Sequence, residues 1–579
     1  MMKTSPSKHP LASPLAEALS LRKTALVVVG LISFVINILM LTGPLFMLQI
    51  YDRVLTSGSV PTLVVLSGLV GGLYVFFGLL EGLRLRCLAR IAAWVDERLS
   101  ANSLAANVTL SLRFGEQVQG RDAVRDLDSV RQFLSSPGPS ALFDMPWIPV
   151  YLGIIFLFHA YLGWLALAGA LIISILIAFN EVLARNPTKV VAECVARRTA
   201  MVGAARRNAE VLTAMGMLNA FTQRWEKDNA EYLRVQGVAI DYSTFFSTTI
   251  KAFRFMLQSA VLALGAWLAI RQNISPGVMI AASIMTARAL APVEQAVAHW
   301  RGFLTARQGA KHLAESLRIS HTTAPKTALP SPTQSLDVQQ LTLAAPGERT
   351  LLVQGIHFQL KAGDGLGVIG PSGSGKTSIV RALVGVWSAV KGSVRLDGAD
   401  YDQWDRTTLG RSIGYLPQDV ELFDGTVAEN IGRFDPDATS DAIIAAARLA
   451  DVHDIITSLP CGYDTVIGEA GGRLSAGLCQ RIGLARALYG EPFLIVLDEP
   501  NSNLDHAGDL ALREAIRTMR TRGSIVIVVA HRPSAIEPVE QLLYLKEGRQ
   551  GAFGPKAEVL AQVTRSARDS DNMLTAVTS

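Results

Sequence analysis

Cysteine is scarce in this chain: four residues in 579, none at a paired spacing. That excludes a disulfide framework and a cysteine-based zinc site. Charge is thin as well, with 18% of residues charged against 50% hydrophobic, so a membrane portion is expected. The net charge of +5 is modest for this length and gives no ground for a nucleic-acid partner. At this length one compact domain is also excluded; two or three are expected.

What the chain does have is long apolar runs in its first half. They lie at about Ala25–Leu48, Val60–Leu80, a double-length stretch Ala141–Leu183 broken near "HAYLG" (159–163), Phe253–Ile270 and Ile274–Ala298. A helical crossing takes roughly 20 apolar residues, so six spans are expected. The first run is longer than a signal-peptide core and lacks a small-residue cleavage site after it, which reads as a retained helix. Lys3, Lys8, Arg22 and Lys23 precede it. Arginines and lysines also crowd the stretches between spans two and three and between spans four and five, whereas the alternate loops hold only Arg53 and Arg271. Both termini and both long loops are therefore expected in the cytoplasm.

Those two stretches read as helices continuing out of the membrane and meeting at turns. Apolar residues recur at spacings of three and four in "DLDSVRQFL" (126–134) and "NAEVLTAMGM" (208–217), which suits either docking on another domain or packing on a neighbouring helix. The expected organisation is a cytoplasmic segment 1–24, a six-helix membrane domain 25–320, a Pro- and Thr-rich linker 321–335, a soluble α/β domain 336–565 and a polar tail 566–579.

The chemistry sits in that α/β domain. "GPSGSGKT" (370–377) fits G-x-x-x-x-G-K-[ST], after a strand-like "GLGVI" and before a helical segment. Gly370, Pro371, Ser372, Gly373, Ser374, Gly375, Lys376, Thr377 and Ser378 are thus expected to hold nucleotide phosphates. Lys376 reaches the β- and γ-phosphates and the Thr377 hydroxyl binds Mg²⁺. "FLIVLDEP" (493–500) reads as a buried parallel strand ending in two carboxylates. Taken alone such a pair is a helix cap or a surface feature. Some 120 residues after a phosphate loop, Asp498 becomes a magnesium ligand through water, and Glu499 the group that polarises attacking water.

With these residues in view, nearly the whole chain resembles an ABC exporter half-transporter: a six-helix membrane domain of the exporter type I fold followed by an α/β P-loop ABC ATPase domain. "GYLPQDVELFDGTVAENI" (414–431) resembles the segment of the glutamine loop, which implies that Gln418 reaches magnesium and the attacking water. "SNLD" (502–505) implies that Asp505 crosses a dimer interface, and "AHR" (530–532) that His531 contacts the γ-phosphate. "GEAGGR" (468–473) stands where exporters touch their transmembrane tips. Longer strings, "QDVELFDGTVAENI", "LYGEPFLIVLDEPNSNLD" and "RALAPVEQAVAHW", resemble type I secretion ATPases of the alkaline-protease (PrtD-like) branch. That likeness implies ATP-driven export of an unfolded, RTX-type protein with a C-terminal signal across the bacterial inner membrane. It also implies a periplasmic membrane-fusion adaptor, a TolC-like outer-membrane channel, and membrane lipid around the spans. About 24 residues precede the first span, too few for the N-terminal peptidase domain that leader-cleaving relatives carry, so leader processing is not expected.

Three departures from the family pattern stand out. The stretch "AAPGERTLL" (344–352), where such ATPases place an adenine-stacking aromatic, contains none. The signature "LSAGLCQR" (474–481) has Ala476, Leu478 and Cys479 at altered positions, yet keeps Ser475 and Gly477. With Ala476 they are expected to meet the ATP of a partner chain, and one six-span chain with one ATPase implies a homodimer in preference to a heterodimer. Cys479, in the first turn of a helix near Arg481, is either a thiolate-prone group at the interface or a small apolar residue in its own domain. Asn37, Gln258, Glu294 and Gln295 are polar positions in or near spans, open to a translocation path or to helix–helix hydrogen bonds, and Pro292 is expected to kink the sixth span. Export of a lipid or small molecule, and ATP binding for regulation without turnover, are the competing readings.

Overall fold

The computed structural model describes residues 23–115, 122–320, 329–348, 350–468, 474–530 and 533–564. The chain divides into two compact units, Met1–Leu110 with Val118–Thr322 and Thr323–Ser579 with Ser111–Gln117.

The first unit is helical, and among the described residues six helical segments are long and apolar enough to cross a membrane. They are Lys23–Ser57, Val60–Phe114, Gly138–Phe158, Ala160–Arg207, Leu218–Ile270 and Pro276–Ala298, the six that the apolar runs predict. Three run far beyond a bilayer's needs: the helix Val60–Phe114 has 55 residues, Ala160–Arg207 has 48 and Leu218–Ile270 has 53. At 1.5 Å per residue each is about 70–80 Å long, against a hydrocarbon core of about 30 Å. Large apolar side chains such as Val64, Leu79 and Leu157 face outward, as lipid-facing positions must.

The third span is broken into Gly138–Asp144, a 3₁₀ turn Met145–Trp147 and Ile148–Phe158, with a proline at the start of each piece. His159 is extended, and its Nδ1 accepts from the Tyr161 amide at 3.2 Å, so the break at "HAYLG" is a capped helix start. The helix Pro276–Ala298 runs unbroken through Pro292. Asn37 and Glu294 are taken up in contacts between helices: Asn37 Nδ2 donates to Asp144 Oδ1 at 2.7 Å, and Glu294 pairs with Arg254 at 3.0 Å. Arg84 joins the same buried cluster, with Nη1 3.0 Å from Asp144. The segment Ala123–Leu134 buries Leu127 against Val95, Leu99, Leu313 and Leu317 inside this unit.

The described residues of the second unit form one ten-stranded sheet, with strands β1 (Ser335–Ala344), β2 (Leu351–Lys361), β3 (Gly365–Ile369), β4 (Lys391–Leu396), β5 (Ala399–Asp400), β6 (Ile413–Leu416), β7 (Leu494–Asp498), β8 (Ile525–Val529), β9 (Gln541–Lys546) and β10 (Arg549–Pro555). Their order in the sheet is β5-β4-β1-β2-β10-β9-β3-β8-β7-β6. The run β9-β3-β8-β7-β6 is parallel, whereas β1 pairs antiparallel with β2 and β4. Every residue of β7 and of β8 is buried, because helices cover both faces of a parallel sheet and leave no solvated side.

Candidate nucleotide site

The registers bring four strand ends together. Val368 of β3 and Asp498 of β7 both pair with Val529 of β8, and Leu416 of β6 pairs with Leu497. Open α/β sheets bind ligands outside these carboxyl ends. The phosphate loop follows β3, Gln418 lies two residues past β6, Asp498 ends β7 and Ala530 follows β8. His531 itself lies outside the described residues, as do residues 469–473 of "GEAGGR".

The loop turns into helix α1 (Lys376–Leu383) through Gly375, which has φ 92° and would set a Cβ 2.7 Å from Val353 Cγ2. At Gly370 a Cβ would meet the Leu545 carbonyl at 2.4 Å, so no side chain fits there. Lys376 Nζ donates to the carbonyls of Gly370 at 2.9 Å and Pro371 at 2.8 Å. Burial lowers its pKa, and Glu499 and then Asp498 draw it back up. A γ-phosphate placed here would compete with two neutral carbonyls for a cation, an exchange that favours the anion.

Asp498 is 1% exposed and both its carboxylate oxygens are buried without a hydrogen bond. Burial pushes the carboxyl up from its ordinary value; the neighbouring Thr377 side chain opposes this, Glu499 adds to it, and Arg381 and Lys376 oppose it in turn. The Ser374 hydroxyl is likewise buried without a partner. Orphaned oxygen groups of this kind mark a place for a hard cation and for phosphate. Among the described residues no cluster of three or more His, Cys, Asp or Glu could hold a metal by itself. One carboxylate and one hydroxyl suit Mg²⁺ that arrives with the phosphates of its nucleotide.

Glu499 sits at φ 50°, a left-handed conformation that costs about 1–3 kcal/mol for a side-chain-bearing residue. Its amide donates to the Val529 carbonyl at 3.0 Å, which continues the β7–β8 ladder one step and then turns the chain away.

The signature begins helix α2 (Ala476–Leu488), with Ser475 as its N-cap accepting from the Leu478 amide at 3.3 Å. Ala476 is the first helical residue and so keeps negative φ, which is why its methyl is tolerated. At Gly477 a Cβ would lie 3.1 Å from the Asn503 carbonyl, a close approach that explains the retained glycine. Gln480 Nε2 donates to the Pro500 carbonyl at 3.0 Å and Asn503 Nδ2 to Gln480 Oε1 at 3.3 Å, so α2 is tied to the loop after Glu499. Cys479 is buried, and burial pushes its thiol up. Of the two readings of Cys479, the small apolar core residue is the one observed, because desolvation outweighs the pull of the helix end.

Asp505 is the N-cap of helix α3 (His506–Thr521), accepting from the Gly508 amide at 2.8 Å, and it also accepts from Arg481. Neither Asn503 nor the Arg481–Asp505 pair is legible from spacing, since 24 residues separate the two ion-pair partners. The edge of the loop beside Gly375 is aliphatic: Leu351 and Leu352 are exposed there, and the described part of 344–352 contains no aromatic residue.

Residues 353–502 match the ABC transporter family and residues 26–291 the ABC transporter transmembrane region. The type I secretion system ATP-binding protein PrsD of Rhizobium meliloti is 50% identical over 559 residues, which cover 96% of either chain. The cyclolysin secretion/processing ATP-binding protein CyaB of Bordetella pertussis is 26% identical over 92% of this chain and 75% of its own. The leukotoxin translocation ATP-binding protein LktB of Mannheimia haemolytica has the same identity and coverage. Among solved structures, a bacterial Atm1-family ABC exporter with ATP bound superimposes with a TM-score of 0.80, at 22% identity, over 94% of this chain and 98% of its own; that likeness shows the fold. The chain therefore belongs to the ABC transporters, among the ATP-binding membrane exporters of type I secretion systems, and hydrolyses ATP to drive transport.

Proposed function

We propose that this protein exports an unfolded RTX-type protein with a C-terminal signal, working with a periplasmic adaptor and an outer-membrane channel. It sits in the bacterial inner membrane with both termini in the cytoplasm, as a homodimer. The observation that supports the catalytic part best is the orphaned buried Asp498 carboxylate beside Thr377 and the phosphate loop. When bound, Mg²⁺ shields phosphate charge and polarises the γ-phosphate.

The chain's own residues do the rest. Gly370–Ser378 cradle the phosphates; Lys376 exchanges its two loop carbonyls for phosphate oxygens; Thr377 and Asp498 hold the metal, with Gln418 reaching toward it. Glu499 orients and deprotonates the attacking water, and His531 steadies the γ-phosphate. Ser475, Ala476 and Gly477 present a helix N-terminus to the nucleotide of the second chain, across which Asp505 also reaches.

The test is reconstitution of the full chain in lipid vesicles, with ATP hydrolysis as the first readout. Export of an RTX-type protein by cells supplied with adaptor and channel is the second. Hydrolysis without export of such a protein, but with movement of a labelled lipid, would replace the passenger and keep the ATPase. Finding an adaptor gene and an RTX-type gene beside the gene for this chain would favour protein export.

A further inference from the structure

Arg433 is a cation packed among backbone carbonyls instead of carboxylates. Its Nε donates to the Arg486 carbonyl at 3.0 Å and its Nη2 to that of Ala487 at 3.2 Å; its Nη1 donates to Gly410 and Ile413, each at 3.1 Å. Arg486 and Ala487 lie in the last turn of α2, the signature helix, and Gly410 in the last turn of the helix Arg406–Arg411. Ile413 is the first residue of β6. Two helix C-termini, whose last carbonyls carry partial negative charge, thus converge on one guanidinium. Burial pulls its pKa down to about 10, and the neighbouring Arg486 adds to this.

The local chain is built to deliver that side chain. Arg433 and Phe434 sit at φ 57° and 54°, a left-handed pair just past the helix Val427–Ile431. Tyr489, after α2, is extended, so the chain leaves the helix without turning back to cap it. Gly414 completes the junction, because a Cβ there would lie 2.1 Å from the Ala487 carbonyl. α2 therefore carries Ser475 at one end and is riveted at the other to β6, the strand that runs on to Gln418.

We propose that Arg433 is a positioning residue that locks the signature helix to the strand bearing Gln418, so that Ser475 and Gln418 move as one piece when ATP binds. This rests on the reading that Ser475 meets the nucleotide of a second chain. Arg433 touches neither the phosphate loop nor any residue proposed to hold ATP in its own chain. Its loss should therefore spare the binding of nucleotide to that loop while spoiling the alignment needed for turnover. Lysine keeps the charge but offers one donor group that cannot span four carbonyls on three elements.

The full-length protein in lipid vesicles is compared with R433K and R433M for melting temperature, ATP Kd, KM and kcat. In R433K the melting temperature and Kd stay near wild type, within twofold for Kd, while kcat falls at least tenfold and KM changes less than threefold. A kcat within twofold of wild type overturns the proposal. So does a loss of ATP affinity that matches the loss of kcat, or collapse of melting in both variants, since either makes Arg433 merely structural. Wild-type hydrolysis that survives Ser475→Ala unchanged would instead remove the two-chain reading on which the proposal rests.

Discussion

Arg481 Nη2 lies 2.7 Å from Asp505 Oδ1, joining the signature helix to the residue that caps the helix after the catalytic strand. The same guanidinium bonds the Asp451 carbonyl at 2.9 Å and its carboxylate at 3.0 Å, so three segments meet at one side chain. Asp505 is held below its ordinary carboxyl value, first by the Gly508 amide and then by Arg481. A depressed folded pKa contributes stability above the unfolded value of 3.8, and that stability is lost as pH falls through the lower folded value. The gap in melting temperature between wild type and Asp505→Ala should thus be flat from about pH 5.5 to 8. Asp505→Asn, which can still cap, should melt above Asp505→Ala. A gap that changes across that window would assign the effect to another group.

Glu499→Gln should lower kcat by at least about 100-fold, the usual scale for a lost general base, while ATP still binds. Without turnover the nucleotide stays in place, and a closed pair of chains should accumulate. Gel filtration with ATP and a phosphate-release assay read both effects; near-wild-type hydrolysis would remove Glu499 from its role.

Lys376→Ala should act one step earlier. Removing the ammonium takes away the main positive charge near the β- and γ-phosphates, so nucleotide affinity should fall together with turnover. Equilibrium binding of a fluorescent ATP analogue measures it, and unchanged affinity would count against the phosphate loop as the binding site.

GTP should bind with an affinity within about tenfold of that for ATP, a difference of about 1.4 kcal/mol or less. The exposed Leu351 and Leu352 offer a base apolar contact but no stacking face. Competition between the two nucleotides measures it; a hundredfold preference for ATP would require an aromatic platform from elsewhere.

Cys479 should react slowly with a bulky thiol reagent, at a rate indifferent to ATP, in a variant lacking Cys87, Cys194 and Cys461. Its burial and raised pKa both withhold the thiolate. Fast labelling that ATP suppresses would show that α2 opens this position to the interface.

Local pattern settled much of this protein before any coordinates. Apolar runs of bilayer length point to six helices, because a helix crossing lipid pairs its own backbone groups. The phosphate loop and the carboxylate pair at the end of β7 are equally local, since their chemistry depends on neighbours in the chain. Tertiary structure alone decided the rest. Whether Cys479 faces a partner or its own core turns on which side of α2 is packed, and "LSAGLCQR" is compatible with either. Asn37 and Glu294 looked open to a translocation path until Asp144 and Arg254 came within reach from other helices. The clamp at Arg433 needs two helix ends and a strand start folded onto one guanidinium, and partners 20 to 54 residues away in the chain leave no spacing to read.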